Sequence, residues 1–157
     1  MNFLWKTFWG QILMTFLVSM VPIIELRGAL PMATGAGLDW RIAIVVAIIG
    51  NLVPVPFIIM FIRKIFAWMR KQNNFFGKVV EKLENKAFSK RDTIDKYGPW
   101  GLWLFVAIPL PGTGAWTGCL IASVLEMDKK KSFLAAMIGI LIASVIMMLL
   151  SFGLLKG

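Results

Sequence analysis

Four long apolar segments restrict the fold of this 157-residue chain more than any other feature. They cover residues 8–38, 42–62, 99–126 and 132–154. The second and fourth contain no charged residue, and each is long enough to cross a hydrocarbon core of about 30 Å. Hydrophobic residues make up 59% of the chain, whereas soluble domains are about half apolar. The sequence therefore predicts an all-α integral membrane protein with one domain.

The first and third segments are interrupted in their middles. Pro22 and residues 25–31 (ELRGALP) interrupt the first, and residues 109–115 (PLPGTGA) interrupt the third. Proline removes a backbone donor and glycine loosens a helix, so the flanking pieces of about 9–17 residues are too short to span. We therefore predict that 8–38 and 99–126 are re-entrant helical hairpins. Their non-helical tips must be buried in protein or line a polar cavity.

The cationic residues predict how the chain is oriented in the membrane. The net charge is +9, and ten of the 17 cations lie within residues 63–96. A basic cluster beside an apolar span is typical of a cytoplasmic loop facing anionic lipids, so nucleic acid is not an expected partner. Apolar positions at helical spacing indicate that residues 63–97 form an amphipathic linker helix. Residues 129–131 are three lysines, which are cytoplasmic as well only if segment 99–126 turns back.

The two halves of the chain have the same organisation. Each half is an interrupted segment followed by one full span, and Gly28-Ala29 in the first half matches Gly114-Ala115 in the second. Because one full span separates the two interrupted segments, the second half would have the opposite orientation in the membrane from the first half. Paired interrupted helices in inverted repeats indicate a transporter binding site. Because two spans shield two polar tips poorly from lipid, we also predict a homo-oligomer, most simply a dimer.

Glu25 and Arg27 are the main candidates for function at the first interruption. A charge within an apolar segment costs several kcal/mol unless it is paired, so its presence needs a reason. In the functional interpretation, Arg27 holds a phosphate or carboxylate and Glu25 carries a coupling proton. In the structural interpretation, the pair binds loose backbone at the tip. Gly28 and Pro31 belong to the same candidate site.

The second interruption supplies a glycine-rich turn ahead of a helix. Glycine allows close approach of a ligand to the backbone, and the free N–H groups of a helix start favour anions. The alternative is a tight turn needed only to reverse the hairpin. The candidate residues of this turn are Pro109, Pro111, Gly112, Thr113 and Gly114.

Trp116 and Asn51 complete the candidate site. Trp116 lies beside the second turn, where it either covers a ligand or packs the hairpin. Asn51 lies within the first full span, where it either caps the exposed tips by hydrogen bonding or contacts substrate.

Several classes of chemistry are missing from this sequence. It contains no histidine and one cysteine, Cys119, so a Cys/His metal site, an internal disulfide and catalysis with a histidine base are excluded. The pairs and triads needed for hydrolysis are missing too. We therefore expect neither an enzyme nor a cofactor.

Because Glu25 and Arg27 follow the first apolar run, we also expect that run to be retained and not cleaved as a signal peptide.

Residues 25–31 and 109–116 together resemble the small multidrug export protein family. That family looks like a compact member of the DedA superfamily, also called VTT-domain proteins. The resemblance covers nearly the whole chain and implies two opposed re-entrant hairpins in the cytoplasmic membrane of a prokaryote. It also implies lipid transport, especially of undecaprenyl phosphate, often linked to the proton gradient. By position, Glu25 would match the membrane-embedded acid of the superfamily.

The leading functional prediction is a transporter or flippase for an anionic lipid-linked substrate such as undecaprenyl phosphate, in which Glu25 gates transport or couples it to protons. One alternative is export of lipophilic cations, with Glu25 as counter-charge. The other is a non-transporting membrane scaffold or assembly factor whose basic loop binds partners.

Overall fold

The computed structural model describes residues 3–22, 24–108 and 113–156, and that part of the chain is helical without any strand. The predicted all-α fold is therefore confirmed. A 3-10 turn (Leu4–Lys6) precedes the α-helices, which are α1 (Phe8–Met20), α2 (Glu25–Gly35), α3 (Trp40–Leu52), α4 (Pro54–Gln72), α5 (Asn74–Ser89), α6 (Arg91–Tyr97), α7 (Pro99–Ala107), α8 (Ala115–Val124) and α9 (Lys129–Lys156).

Two stretches are long and apolar enough to cross a membrane by length and composition. The first is Trp40–Gln72, with 33 residues, in which α3 and α4 follow each other through Val53. The second is Lys129–Ser151 in α9, with 23 residues. Only 44% of the most apolar 18 residues of the first stretch is buried inside the molecule, and only 33% of the most apolar 18 residues of the second. Most of this apolar surface therefore faces outward, as lipid contact requires and as the core helix of a soluble protein does not.

Helix α1 has its small residues inside and its large residues outside. Its buried positions are Gly10, Thr15 and Ser19, whereas Trp9 and Leu13 are exposed. Small residues at helix contacts and large apolar residues outside are characteristic of helices in lipid. The helix ends before Pro22, because the residue preceding a proline is disfavoured in the α conformation. Val21 is accordingly extended, with φ −70° and ψ 128°.

The first interruption is shorter than the sequence predicts. Residues 25–31, expected to be non-helical, begin α2 and include Pro31 within that helix. The physical reason is an apolar stripe at positions i, i+3, i+4 and i+7, whose burial outweighs the lost backbone hydrogen bond at Pro31. The buried stripe consists of Leu26, Ala29, Leu30 and Ala33.

Helices α1 and α2 form an antiparallel pair beside α3. The Gln11 side chain donates to the Ala36 carbonyl at 2.8 Å, which joins the start of α1 to the end of α2. At its other end α1 lies against Gly50 of α3, where an added Cβ would be 2.6 Å from the Phe16 carbonyl oxygen. The turn between α1 and α2 therefore lies near the junction of α3 and α4.

Helices α7 and α8 form a second antiparallel pair. A Cβ on Gly118 of α8 would lie 2.7 Å from Val106 and 3.4 Å from Leu102 of α7. The far end of α8 is followed by Glu126, which pairs with Arg63 of α4 at 2.6 Å. We call the end of each helix pair that lies opposite its connecting turn the open end. The open end of the second pair lies near Arg63, and the open end of the first pair lies near Asp39.

The basic region 63–97 is divided between three helices. It comprises the end of α4 and all of α5 and α6. Asn73 caps α5 by accepting from the Phe76 N–H at 2.9 Å, and the buried face of α5 contains Val80 and Ala87. Arg70 and Glu84 form an ion pair between α4 and α5. The cytoplasmic location of this region stays a prediction.

Candidate functional site

The two interrupted regions meet inside the molecule. We call the end of α1 together with the start of α2 tip 1, and residues 108–114 between α7 and α8 tip 2. Side chains of tip 1 bind backbone groups of tip 2 and of the helices next to it. Within tip 2, the predicted site residues Pro109, Pro111 and Gly112 lie outside the described residues.

Glu25 caps the start of α8. Its carboxylate is buried, with 4% of the residue exposed. Oε1 accepts from the Trp116 N–H at 2.9 Å, and Oε2 accepts from the Ala115 N–H at 3.3 Å. The first N–H groups of a helix have no partner within the helix and carry its positive dipole end, so a carboxylate stabilises them. Glu25 itself has φ +49°, a left-handed conformation that aims its side chain across to α8.

Arg27 caps the end of α7. One terminal nitrogen, Nη2, donates to the carbonyls of Val106 at 3.1 Å and Ile108 at 2.6 Å, and the other donates to the Thr113 carbonyl. The last carbonyls of a helix carry its negative dipole end, which a cation stabilises. Glu25 and Arg27 therefore bind the two helix ends of opposite polarity that flank tip 2. We call this set of contacts the tip clamp.

The tip clamp is the arrangement that the structural interpretation of Glu25 and Arg27 predicts, in which the pair binds loose backbone. Both charges bind backbone that the break between α7 and α8 leaves unpaired. The two terminal nitrogens of Arg27 already contact three carbonyls, whereas its Nε has no partner within the described part of the chain. An anion could reach Arg27 only if some of these contacts opened. Its predicted role in anion binding stays a prediction.

Gly114 is the point at which the two charges converge. Its φ is +146°, which residues with a side chain rarely adopt. A Cβ at this position would lie 2.7 Å from Arg27 Nη1 and 3.0 Å from the carboxyl carbon of Glu25. Thr113 also stabilises the turn, because its hydroxyl donates to the Ile108 carbonyl at 2.6 Å. Glycine is therefore required here for both conformation and space.

Trp116 connects the tips and also lines an external groove. Its indole N–H donates to the Met20 carbonyl of tip 1 at 3.0 Å. The same side chain lines an open apolar groove of about 560 Å³ along α4, which extends past Phe57 and Ile62 toward Lys64. Both interpretations of Trp116, packing the hairpin and facing a ligand site, are compatible with this position.

The other predicted site residues lie outside the tip clamp. Gly28 packs against the Ile24 side chain, and Pro31 is exposed on α2. Asn51 is buried near the end of α3 with 3% exposure, and its Oδ1 has no partner among the residues described. We find no hydrogen bond between Asn51 and either tip in that part of the structure.

The sequence interpretation missed the groove on α4. Phe57, Phe61, Ile65 and Trp68 line it, and their spacing of three or four residues could have indicated one helix face. It also missed Gln11, which closes the open end of the first pair through the Ala36 carbonyl.

Comparison with known proteins gives one family. A family model described as "putative small multi-drug export protein" matches residues 25–146, a region that begins at Glu25 and includes tip 2. No curated protein and no solved structure matches the chain. Membership of the wider DedA superfamily stays a prediction.

Proposed function

Because the chain belongs to the small multi-drug export protein family, we propose that it is a membrane transporter of lipophilic compounds. The observation that supports this function best is the tip clamp at the inner end of an apolar groove. Charged groups inside a membrane protein are expensive and usually mark a substrate or ion pathway. Interrupted helices that meet from two repeats are a common construction for such sites.

We propose that the two hairpins enter the bilayer from opposite faces and that the tip clamp lies near its middle. Along the first spanning stretch, Pro54 follows Trp40 by 14 residues and precedes Lys64 by ten. At a rise of 1.5 Å per residue, Pro54 is about 21 Å from the first and about 15 Å from the second. Each distance is near half of a membrane, and Trp116 at the tips lines the same groove as Pro54.

Labelling of single cysteines tests the proposed hairpins. In a Cys119→Ala background, we expect Thr7→Cys and Asp39→Cys to react with a membrane-impermeant reagent from one side of the membrane. Asn85→Cys and Asp128→Cys should react only from the other side, because both hairpins return to the face they entered. All four positions are exposed in the structure. Labelling of positions 7 and 39 from opposite sides would show that residues 8–38 cross the membrane straight through.

The groove on α4 gives a lipophilic substrate access to the tip clamp. Its volume of about 560 Å³ is within the range of small-molecule sites, about 300–1,000 Å³. Aromatic rings of Phe57, Phe61, Trp68 and Trp116 face it, and such rings bind apolar groups and organic cations. The Glu25 carboxylate accepts from the backbone N–H of Trp116, where its charge could balance a cationic substrate. These features favour a lipophilic, drug-like cation as the first candidate substrate.

An anionic lipid such as undecaprenyl phosphate is the second candidate substrate. Lys64 lines the outer part of the groove, where it could hold a phosphate at the membrane interface. At the inner end of the groove, the guanidinium of Arg27 would bind the phosphate once its contacts with the backbone carbonyls open. This candidate keeps the flippase function that the sequence resemblance implies.

Proton coupling follows if Glu25 takes up a proton during transport. A protonated carboxyl loses its charge, so it binds the Ala115 and Trp116 N–H groups more weakly than the carboxylate does. Tip 2 would then separate from tip 1 and open the path between the two membrane faces. We propose this separation as the gating step.

Blocking the groove tests its role in transport. We expect Ile62→Trp to reduce transport in proteoliposomes at least about tenfold, because the larger side chain fills part of the groove that Trp116 also lines. Leu141→Trp is the matched control, since Leu141 is exposed on α9 and lies outside this groove. Equal activity of Ile62→Trp and the native protein would remove the groove from the pathway.

The same assay separates the two candidate substrates. A lipophilic cationic dye and a fluorescent lipid phosphate should each be tested alone and in competition. Lys64→Gln should slow only the lipid phosphate if that is the substrate, and should leave the dye unaffected. If neither compound moves, the scaffold alternative becomes the better hypothesis.

A homo-oligomer, location in the cytoplasmic membrane of a prokaryote and the lack of enzymatic activity stay predictions from the sequence. Membership of the chain in an export family, together with its apolar helices, supports the broader statement that this is a membrane protein.

A further inference from the structure

A small cavity with polar and apolar lining residues lies outside the tip clamp, where α4, α8 and α9 meet. Its volume is about 120 Å³, and Arg63, Ser123, Glu126, Lys129 and Ser132 are among its lining residues. Because Lys129 begins a spanning helix, the cavity lies at the depth where lipid headgroups are expected. This volume is about four times the share of one water molecule in the liquid.

One residue of this cavity has a buried polar group that the fold leaves without a partner. The Ser132 hydroxyl is buried, with 1% of the residue exposed, and it has no hydrogen-bond partner in the described part of the chain. A buried hydroxyl without a partner costs about 1–3 kcal/mol. A buried polar group without a partner is often found where a ligand or an ion binds.

An apolar groove lies next to the cavity, along α4 and α9. It has a volume of about 570 Å³ and shares Ile59 and Lys129 with the cavity. Met60 and Phe133 line its apolar part, and Lys130 lies at its rim beside Lys129. A cavity lined by cations thus lies next to an apolar groove on the outer surface of α4 and α9.

We propose that the cavity and groove bind one anionic phospholipid of the surrounding membrane. The lipid phosphate would lie among Arg63, Lys129 and Lys130, and the Ser132 hydroxyl would donate to it. One acyl chain would occupy the groove between α4 and α9. Three cations and one acid, Glu126, give the site a net charge of +2, which favours an anionic headgroup over a zwitterionic one. This site is separate from the tip clamp and does not depend on the transported substrate.

The bound lipid would connect α4 to α9. These two helices support the second hairpin, since α8 packs along α4 and α7 packs along α9. A ligand that binds only the folded protein stabilises it by RT ln(1 + L/Kd), where L is the free ligand concentration, so the effect grows as that concentration exceeds Kd. We therefore expect anionic lipid to raise the apparent melting temperature of the detergent-solubilised protein.

Lipid titration of the purified full chain tests this proposal. Phosphatidylglycerol should bind at least about tenfold more tightly than phosphatidylcholine in mixed micelles, measured by thermal shift and native mass spectrometry. Lys129→Gln combined with Lys130→Gln should weaken phosphatidylglycerol about 30-fold, since each cation near a lipid surface contributes about one kcal/mol. The control is Lys78→Gln combined with Lys82→Gln on α5, which removes the same charge elsewhere. Equal effects of the two double variants would overturn the site.

Ser132→Ala provides a second measurement in which the lipid-free protein still folds. Removal of the unpaired hydroxyl should raise stability without lipid, but should reduce the stabilisation that phosphatidylglycerol gives. Ser144→Ala is the matched control, because the buried Ser144 hydroxyl already donates to the Leu141 carbonyl at 2.6 Å and its loss should destabilise. An unchanged lipid effect in Ser132→Ala would contradict the proposed hydroxyl contact. If glycerol 3-phosphate alone stabilised the protein as much as the lipid does, the site would bind soluble anions and not a membrane lipid.

Discussion

Glu25→Leu is expected to reduce transport at least about a hundredfold and to lower the apparent melting temperature. The substitution leaves the Ala115 and Trp116 N–H groups without their carboxylate partner. It also leaves the Arg27 guanidinium without a nearby negative charge inside an apolar region. Each hydrogen bond to a charged group contributes about 1.5–3 kcal/mol, so the loss of two corresponds to at least about a hundredfold change in an equilibrium.

A double-mutant cycle with Arg27 distinguishes a charge pair from two independent contacts. Arg27→Leu alone should be as harmful as Glu25→Leu, because it leaves the carboxylate uncompensated and frees the carbonyls of Val106, Ile108 and Thr113. The double variant Glu25→Leu/Arg27→Leu should lose less stability than the sum of both, since no unbalanced charge remains. Transport by the double variant should nevertheless stay absent, because tip 2 has lost both of its caps.

Transport in proteoliposomes and thermal unfolding in detergent are the measurements for this cycle. Glu81→Leu is the control, since Glu81 is exposed on α5 and far from the tips in sequence. It should leave transport near the native rate. Strictly additive losses in stability, or native transport by Glu25→Leu, would refute the tip clamp as the working gate.

Gly114→Ala is expected to produce the second largest effect. The added Cβ would clash with the Glu25 carboxylate and lie 2.7 Å from Arg27 Nη1, and the φ of +146° is strained for alanine. The strain alone costs about 1–3 kcal/mol, and displacement of either charge would disrupt the tip clamp. We expect a melting temperature several degrees lower and transport close to background.

Gly77→Ala is the matched control for that substitution. Nothing lies within 4 Å of a Cβ added to Gly77, which is part of α5. Alanine favours a helix over glycine by about 0.5–1 kcal/mol, so this variant should be slightly more stable and fully active. If both glycine variants behaved alike, close approach at tip 2 would not be a requirement of the site.

The elements that the sequence predicted well are those set by local composition. The apolar runs predicted the spanning helices, because an 18-residue apolar helix is recognisable without any partner. Pro22 predicted the end of α1, because its effect on Val21 acts through adjacent residues. The same reasoning was wrong for residues 25–31, which are helical. Their buried stripe is stabilised by packing against other helices, and that packing exceeds the local preference of Gly28 and Pro31.

The candidate site was only partly predictable for a similar reason. Glu25 and Arg27 were recognisable as charges that an apolar segment must pair. Their partners are backbone groups 79 to 91 positions away, and backbone groups carry no sequence signal. The groove on α4 and the hydroxyl of Ser132 depend on which helices pack side by side, so only coordinates reveal them.

The order of the residues alone determined that this chain is helical, apolar enough for a membrane and broken at two places by proline and glycine, because each of these properties acts over a few neighbouring positions. Only the tertiary structure decided which broken ends meet and which charge binds which end. That choice depends on helix dipoles and unpaired backbone groups brought together from distant parts of the chain, and these have no energy of interaction until the helices pack.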